Sequence, residues 1–444
     1  MTDSPLRKGI NRRTFLFGAL ASAAAPAIFS TSKASAASPN ETMRLGVVGL
    51  GRQGRTDMQE MIFRGLDHNA RVVAICDVDS SRLTLGRQLL EESYAKYATE
   101  AGPYAGCDTY TDYRKLIARP DIDGVLVVTP DHTHALVATA AAKAGKDVYL
   151  EKPLTYTLRE GRQLVDSIRE NNRIFQTGSQ QRSSIYFRKA CELTRNGIIG
   201  NLHTIHVTLP PDSGKGRMEV APIPENLNYD MWLGPAPVVP YVTDRVHPPM
   251  EFGRPGWLQT AQYCHGMITG WGAHMNDIAQ WGNGSDDTGI VEIEATGEFP
   301  DRGSFNVHTK FRAEGKYANG VKLMQATGPA DVKFEGDEGW ILVGREKLEA
   351  SNPEMLKQKI GDDGVKLYES KNHMANFLEG MRTRKETICP AEVGHRSNSI
   401  CLVTHIAMKV GGKLEWDPKT ERFTNNEKAN EMLDYQHREP WTVG

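Results

Sequence analysis

The sequence lacks an apolar run of the ~20 residues that a helix needs to cross a membrane. Its apolar stretch near the start, residues 15–29, is shorter and is interrupted in character by Gly18 and Pro26. It also lacks a basic cluster. Lys+Arg number 53 against 55 Asp+Glu, a formal net charge of −2, and five of the bases but only one acid fall in the first 36 residues. The remaining body is mildly acidic and carries no electrostatic footprint for nucleic acid, so no such partner is expected. Cysteine is sparse. Cys76, Cys107, Cys191, Cys264, Cys389 and Cys401 are scattered without the paired spacing of a metal site, so no metal is expected. A chain this long does not need a disulfide framework, and free buried thiols are the expectation. There is no internal repeat. What is left is a 444-residue chain with 39% hydrophobic and 24% charged residues, the composition of a globular protein with two domains and a leader.

The leader occupies residues 1–36. Arg7, Lys8, Arg12 and Arg13 precede the apolar stretch, and Ala34, Ser35 and Ala36 follow as small residues suited to cleavage. A charged start, a short apolar middle and a small-residue exit make an export signal. The string Asn11-Arg12-Arg13-Thr14-Phe15-Leu16 resembles the twin-arginine signal. That resemblance implies export of an already folded protein to the periplasm or beyond, cleaved near Ala36 and free of the membrane afterwards.

After a linker at 37–43, strand, turn and helix patterns alternate. Apolar runs at 44–48, 71–76, 124–128 and 147–150 are separated by helical stretches at 58–63, 81–97 and 134–144. This grammar predicts a doubly wound parallel sheet over 44–178, an α/β Rossmann domain. A helix at 158–171 and a strand at 174–176 continue it, and a helix at 187–196 opens the next part. Period-two patterns follow at 202–207, 290–296, 305–311, 321–326, 332–335 and 340–343, with Asn319-Gly320 as a hairpin turn. They predict an α+β domain over 179–372 built on a large, mostly antiparallel open sheet, whose free face would join copies into a homo-dimer or homo-tetramer. Residues 209–260 are rich in proline and aromatics without periodicity, the mark of a functional loop. Helices at 373–384 and 392–410 place residues 373–444 back on the first domain.

Gly49-Leu50-Gly51-Arg52-Gln53-Gly54 directly follows the first strand. Its first glycine permits a tight turn, the second a close approach to pyrophosphate, and the third tight helix–strand packing; the helix N-terminus attracts the negative charge. Asp77 ends the next strand, where an acid binds ribose hydroxyls. It would repel a 2′-phosphate and so favours NAD, while Arg52 or Arg82 leaves NADP open. Thr129, Pro130 and His134 follow the third strand at the cofactor edge, with His132 expected as an exposed loop residue. Glu151-Lys152-Pro153 ends the strand at 147–150.

That order of motifs resembles the glucose–fructose oxidoreductase/inositol dehydrogenase (Gfo/Idh/MocA) family, over about residues 44–441 and including Arg438-Glu439-Pro440-Trp441. The resemblance implies that Lys152 lies beside the nicotinamide and contacts the reacting hydroxyl, with Pro153 commonly cis. A second family pattern matches Gly270-Trp271-Gly272-Ala273-His274-Met275-Asn276-Asp277, and implies that His274 exchanges the hydroxyl proton. His274 and Asp277 share a helix face. Many relatives carry an Asp where this chain has Gly270, which leaves Tyr263 or His265 as replacement candidates. Gln180, Gln181 and Arg182 fall where relatives place cofactor or substrate contacts. Trp232, Tyr241 and Trp271 offer aromatic faces to a sugar ring, though Trp232 equally suits a loop anchor. The implied cofactor set is Gly49, Leu50, Gly51, Arg52, Gln53, Gly54, Asp77, Thr129, Pro130, His134, Glu151, Lys152 and Gln180. The implied substrate set is Lys152, Arg182, Trp232, Tyr241, Tyr263, Trp271, His274 and Asp277. The expected activity is hydride transfer between NAD(P) and a sugar or cyclic polyol. A glycosidase using NAD for transient C3 oxidation and elimination, and a non-catalytic sugar-binding protein, stay open.

Overall fold

Strands buried on both faces build the first sheet of the computed structural model, which describes residues 42–97, 106–217, 219–247 and 254–443. The leader and most of the linker lie outside these residues. The chain runs β1 (Met43–Val48), α1 (Arg52–Asp67), β2 (Ala70–Cys76), α2 (Ser80–Tyr97), β3 (Asp108–Tyr110), α3 (Tyr113–Ile117), β4 (Gly124–Val127), α4 (Asp131–Lys143), β5 (Asp147–Leu150), α5 (Leu158–Glu170) and β6 (Phe175–Thr177). Every residue of β4 and β5 is buried, as helices on both faces require. The strand order is β3-β2-β1-β4-β5-β6 with every pairing parallel, so the direction of winding reverses between β1 and β4 and opens a crevice at their carboxyl ends. β3 was not anticipated, because three half-exposed residues carry no period. Pro130 in extended backbone starts α4 three residues earlier than its alanine run suggests.

The second part continues with α6 (Ile185–Arg195), β7 (Leu202–Leu209), α7 (Tyr229–Leu233), α8 (Thr243–Val246), α9 (Met267–Gly270), α10 (Gly272–Asn283), β8 (Ile290–Glu298), β9 (Lys310–Tyr317), β10 (Lys322–Thr327), β11 (Asp331–Gly336), β12 (Gly339–Gly344), β13 (Lys347–Ala350), α11 (His373–Thr383), α12 (Ala391–Val410), β14 (Lys413–Asp417) and β15 (Arg422–Phe423). Nine strands form one sheet in the order β13-β12-β11-β7-β10-β9-β8-β14-β15, antiparallel except for the β7–β10 pair. One face packs on α6, α10 and α12 around Ile205, Met275, Phe334 and Val403, and the alternation of β9 is strict.

The strand expected at 305–311 lies instead at β9. Residues 305–307 are drawn away by bonds to the 259–261 segment, with Asn306 Oδ1 accepting from the Ala261 amide at 2.6 Å. The small inward residues Ala313 and Gly315 had hidden the true alternation. Residues 373–444 divide. α11 packs on α1 and supplies Phe377 and Leu378 to the first domain's core. α12 lies against α5 of the first domain and also against β8 and α10, and β14 extends the second sheet.

The irregular 209–260 segment returns to the first domain at the β2–α2 corner. Asn228 donates its amide to the Val78 carbonyl and Ser80 donates to Asn226. All six cysteines are buried. Among the described residues no helix is long and apolar enough to cross a membrane.

Candidate functional site

The carboxyl ends of β1, β2, β4 and β5 open into a cleft of 1580 Å³ that the second domain closes from the other side. At its nucleotide end the three glycines have distinct duties. Gly49 has φ of +95°, and a Cβ there would meet the Val128 carbonyl oxygen at 2.4 Å. A Cβ at Gly54 would stand 1.9 Å from the Gly49 carbonyl oxygen. A Cβ at Gly51 would meet nothing within 4 Å, so this glycine keeps space open rather than filling a tight contact. α1 begins at that point without a side-chain cap, leaving first-turn amides for an anion. An open cradle over uncapped amides fits the pyrophosphate of a dinucleotide. Arg52 and Gln53 line the same wall, whereas the Leu50 side chain is wholly buried and only its amide serves the loop.

Asp77 accepts that Leu50 amide at 2.6 Å and the Asp79 amide at 2.9 Å. Burial raises its pKa, against the pull of Arg82 and the two amides. It therefore holds the glycine loop as well as lining the nucleotide end of the cleft. Tyr241 belongs to this end, not to the substrate end where the sequence placed it. Its hydroxyl meets His247 Nδ1 at 2.6 Å, and His247 Nε2 meets Asp79 at 2.8 Å. The reason is the return of the 209–260 segment onto β2–α2. Trp232 lines the cleft too, but it backs the loop after β4, with its carbonyl on His132 Nε2 at 3.0 Å. His132 is accordingly buried, contrary to its expected exposure.

His134 bridges two loops of the site, reaching the Thr129 carbonyl at 2.8 Å and the Pro153 carbonyl at 2.7 Å. Burial lowers its pKa to about 4, so it is neutral and donates to one carbonyl at a time. The Lys152–Pro153 peptide is cis. Lys152 Nζ stands 3.7 Å from Glu151, and Glu151 accepts from Gln180 Nε2 at 2.6 Å. Burial raises Glu151, while Lys152 and Gln180 oppose that.

Across the cleft, His274 is buried in the first turn of α10, and its Nδ1 has no hydrogen-bond partner among the described residues. Burial, then the charges of Lys152 and Arg345, hold its pKa well below the usual value. A neutral imidazole beside a lysine can accept a proton from a hydroxyl that the lysine holds. Trp271 lines the same wall with its ring centroid 5.8 Å from that of His274.

Arg182 and Asp277 do not reach the cleft. Arg182 Nε lies 2.8 Å from Asp277 and its Nη2 2.7 Å from Asp286, with Ser397 donating to Asp277 at 2.7 Å. α10 is buried on all sides from Gly272 to Gly282, so sharing a face with His274 did not place Asp277 on the cavity side. Tyr263 is wholly buried among His132 and Trp232, and His265 stacks on Tyr156, so neither replaces the acid absent at Gly270.

The sequence reading passed over Asp131, the residue between Pro130 and His132. It is the first residue of α4, buried in the cleft wall with Oδ2 unpartnered. Burial raises it to about 7, and the Lys152 charge works against that rise. An acid following a strand end and a proline was the available signal. Arg345, in the β12–β13 turn, also lines the cleft and carried no signal, because a turn cation reads as solvated surface.

Residues 43–179 match the family described as "Oxidoreductase family, NAD-binding Rossmann fold", and residues 211–443 match "Oxidoreductase family, C-terminal alpha/beta domain" of the same group. The chain is 33% identical over 166 residues to a myo-inositol 2-dehydrogenase of Thermotoga maritima, covering 37% of this chain and 45% of that one. It is 32% identical over 127 residues to a levoglucosan dehydrogenase of Pseudarthrobacter phenanthrenivorans, covering 28% and 33%. Each match thus spans less than half of the relative's length. The WlbA dehydrogenase of Bordetella pertussis, solved with NADH and UDP-GlcNAcA, is similar in fold with a TM-score of 0.58 at 17% identity, over 85% of this chain and 99% of that one.

Proposed function

This chain belongs to the Gfo/Idh/MocA oxidoreductase family, and from that premise we propose that it is an NAD-dependent oxidoreductase acting on a hydroxyl of a sugar or cyclic polyol. The observation that carries the reading is a neutral His274 with an unpartnered Nδ1, facing the same cleft as Lys152 at the ligand end of the parallel sheet.

Gly51 and the first amides of α1 would hold the pyrophosphate, and Asp77 the adenosine ribose. When bound, NAD⁺ supplies the acceptor for the hydride that leaves the alcohol carbon. This chain's residues manage the oxygen and its proton. Lys152 donates a hydrogen bond to the hydroxyl oxygen and stabilises the negative charge that develops there. His274 takes the hydroxyl proton at an imidazole nitrogen, and returns it in the reverse direction. Glu151, fixed by Gln180, sets the position of Lys152.

The test begins with protein purified without added cofactor. Its absorbance and the nucleotide released by acid are expected to show NAD(H), bound as isolated or on addition, and candidate sugars are expected to change the absorbance near that of the reduced form. Lys152→Ala and His274→Ala should keep nucleotide binding and lower turnover about 10²-fold or more. Protein that neither holds nor binds a nicotinamide nucleotide would sink the proposal in favour of a sugar-binding role.

The twin-arginine pattern at Asn11–Leu16 supports export of the folded, cofactor-loaded protein, which mass spectrometry of the N-terminus in a periplasmic extract would check. The face of the nine-stranded sheet turned away from its helices is the surface through which we expect self-association as a dimer or tetramer, which light scattering would measure.

A further inference from the structure

The substrate end of the cleft carries a cation that the reaction above does not use. Arg345 sits in the tight turn joining β12 to β13, at the far edge of the nine-stranded sheet. Its neighbour Glu346 has φ of +60°, a conformation uncommon for a residue with a side chain, and both line the cleft. The Arg345 guanidinium lies over the Trp271 ring, 4.5 Å from its centroid. Trp271 in turn meets His274 edge to face. Only these two ring contacts separate the guanidinium from the imidazole.

Among the described residues, the other arginine on this wall, Arg254, is committed to Asp212 at 2.9 Å. Among the described residues Arg345 makes no hydrogen bond or salt bridge; the Glu151 charge acts on it across the cleft, and its ring contact is with Trp271. A guanidinium seated over an aromatic face can still present N–H donors to a carboxylate or phosphate with two parallel bonds. Lys371 is another cation in the lining of the same large cleft. A neutral polyol uses neither.

We propose that Arg345, seated on Trp271, is an anion-recognition site, and that the substrate is a sugar bearing a carboxylate or phosphate away from the reacting carbon. This deepens the oxidoreductase reading and rests on it. The anion would bind at Arg345 while the hydroxyl to be oxidised lies between Lys152 and His274, so one anchor sets which carbon faces the nicotinamide.

The test uses the full-length protein loaded with NADH, with glucuronate, glucose 6-phosphate and glucose as probes in calorimetric binding. At least one anion is expected to bind about tenfold or more tightly than glucose, in keeping with a charge-assisted pair. The preferred anion identifies carboxylate or phosphate as the recognised group. Arg345→Gln should erase that preference while NADH binding is retained, which shows that the variant is folded. Arg345→Lys should recover part of it, because a point charge lacks the stacked plane. Equal or weaker binding of both anions, no binding of either, or a preference that survives in Arg345→Gln would overturn the proposal. Failure to bind NADH would instead overturn the oxidoreductase reading, so the two failures are separate.

Discussion

Asp131 is a carboxyl group that the fold buries beside a lysine and leaves half unsatisfied. Its pKa is raised from the ordinary 3.8 to about 7, so the native state holds its proton more tightly than the unfolded chain does. The sign follows from that. Stability contributed by the bound proton is present at low pH and falls as pH rises from about 4 through 7, where the native state must carry a buried charge. Asp131→Asn should therefore raise the melting temperature most at pH 8 and by less than half as much at pH 5. Ionisation of Asp131 puts a negative charge in the cleft wall that Lys152 shares, so turnover of the wild type should change through pH 7, and the Asn variant should lose that limb. Thermal melts at the two pH values and a pH–rate profile check this; identical melts and profiles would remove Asp131 from the mechanism. A carboxyl group kept at a stability cost next to the reacting centre is where function is to be sought.

At the scale of elements, the turn from β1 into α1 separates a folding role from a binding role within six residues. A methyl group at position 54 would collide with a backbone carbonyl of the same turn, and backbone cannot swing aside as a side chain can. Gly54→Ala is expected to lower the melting temperature and nucleotide affinity together. Gly51→Ala meets empty space in the protein, so its melting temperature should stay within about 1 °C, since a cost below a few tenths of a kcal/mol moves it little. Its nucleotide affinity should still fall, because the methyl occupies the cradle. Scanning calorimetry and NADH titration of both variants would check the contrast. Equal affinity losses at equal stability would mean that position 54 also faces the ligand.

Across the whole molecule, the Arg182–Asp277–Asp286 group joins the start of the second domain to α10 and, through Ser397, to α12. It thus holds the helix that carries His274 without touching the cleft. Leaving a buried charge wholly unpaired costs about 3–5 kcal/mol. Asp277→Asn leaves Arg182 its second partner, Asp286, and is expected to lose a part of that in urea unfolding. Arg182→Met removes a cation from between two acids and should be at least as damaging. If Asp277→Asn instead kept full stability and lost substrate affinity alone, the acid would be a ligand after all.

The sequence alone determined the local features whose physics lies within a few residues. The glycine turn, the acid at the end of β2, the lysine after β5 and the alternation of the second sheet were legible because chain neighbours enforce them. So was the two-domain fold, since buried parallel strands and half-exposed antiparallel ones have different periods. Tertiary structure decided which way an all-buried helix turns its polar residues, putting His274 into the cleft and Asp277 into the core. It also carried the aperiodic 209–260 segment back to the nucleotide end, taking Tyr241 with it. Finally it brought Asp131 beside Lys152 and Arg345 near His274, across sequence separations that no spacing rule spans. Burial and charge proximity are properties of the packed molecule, and they set the protonation of Asp131 and His274.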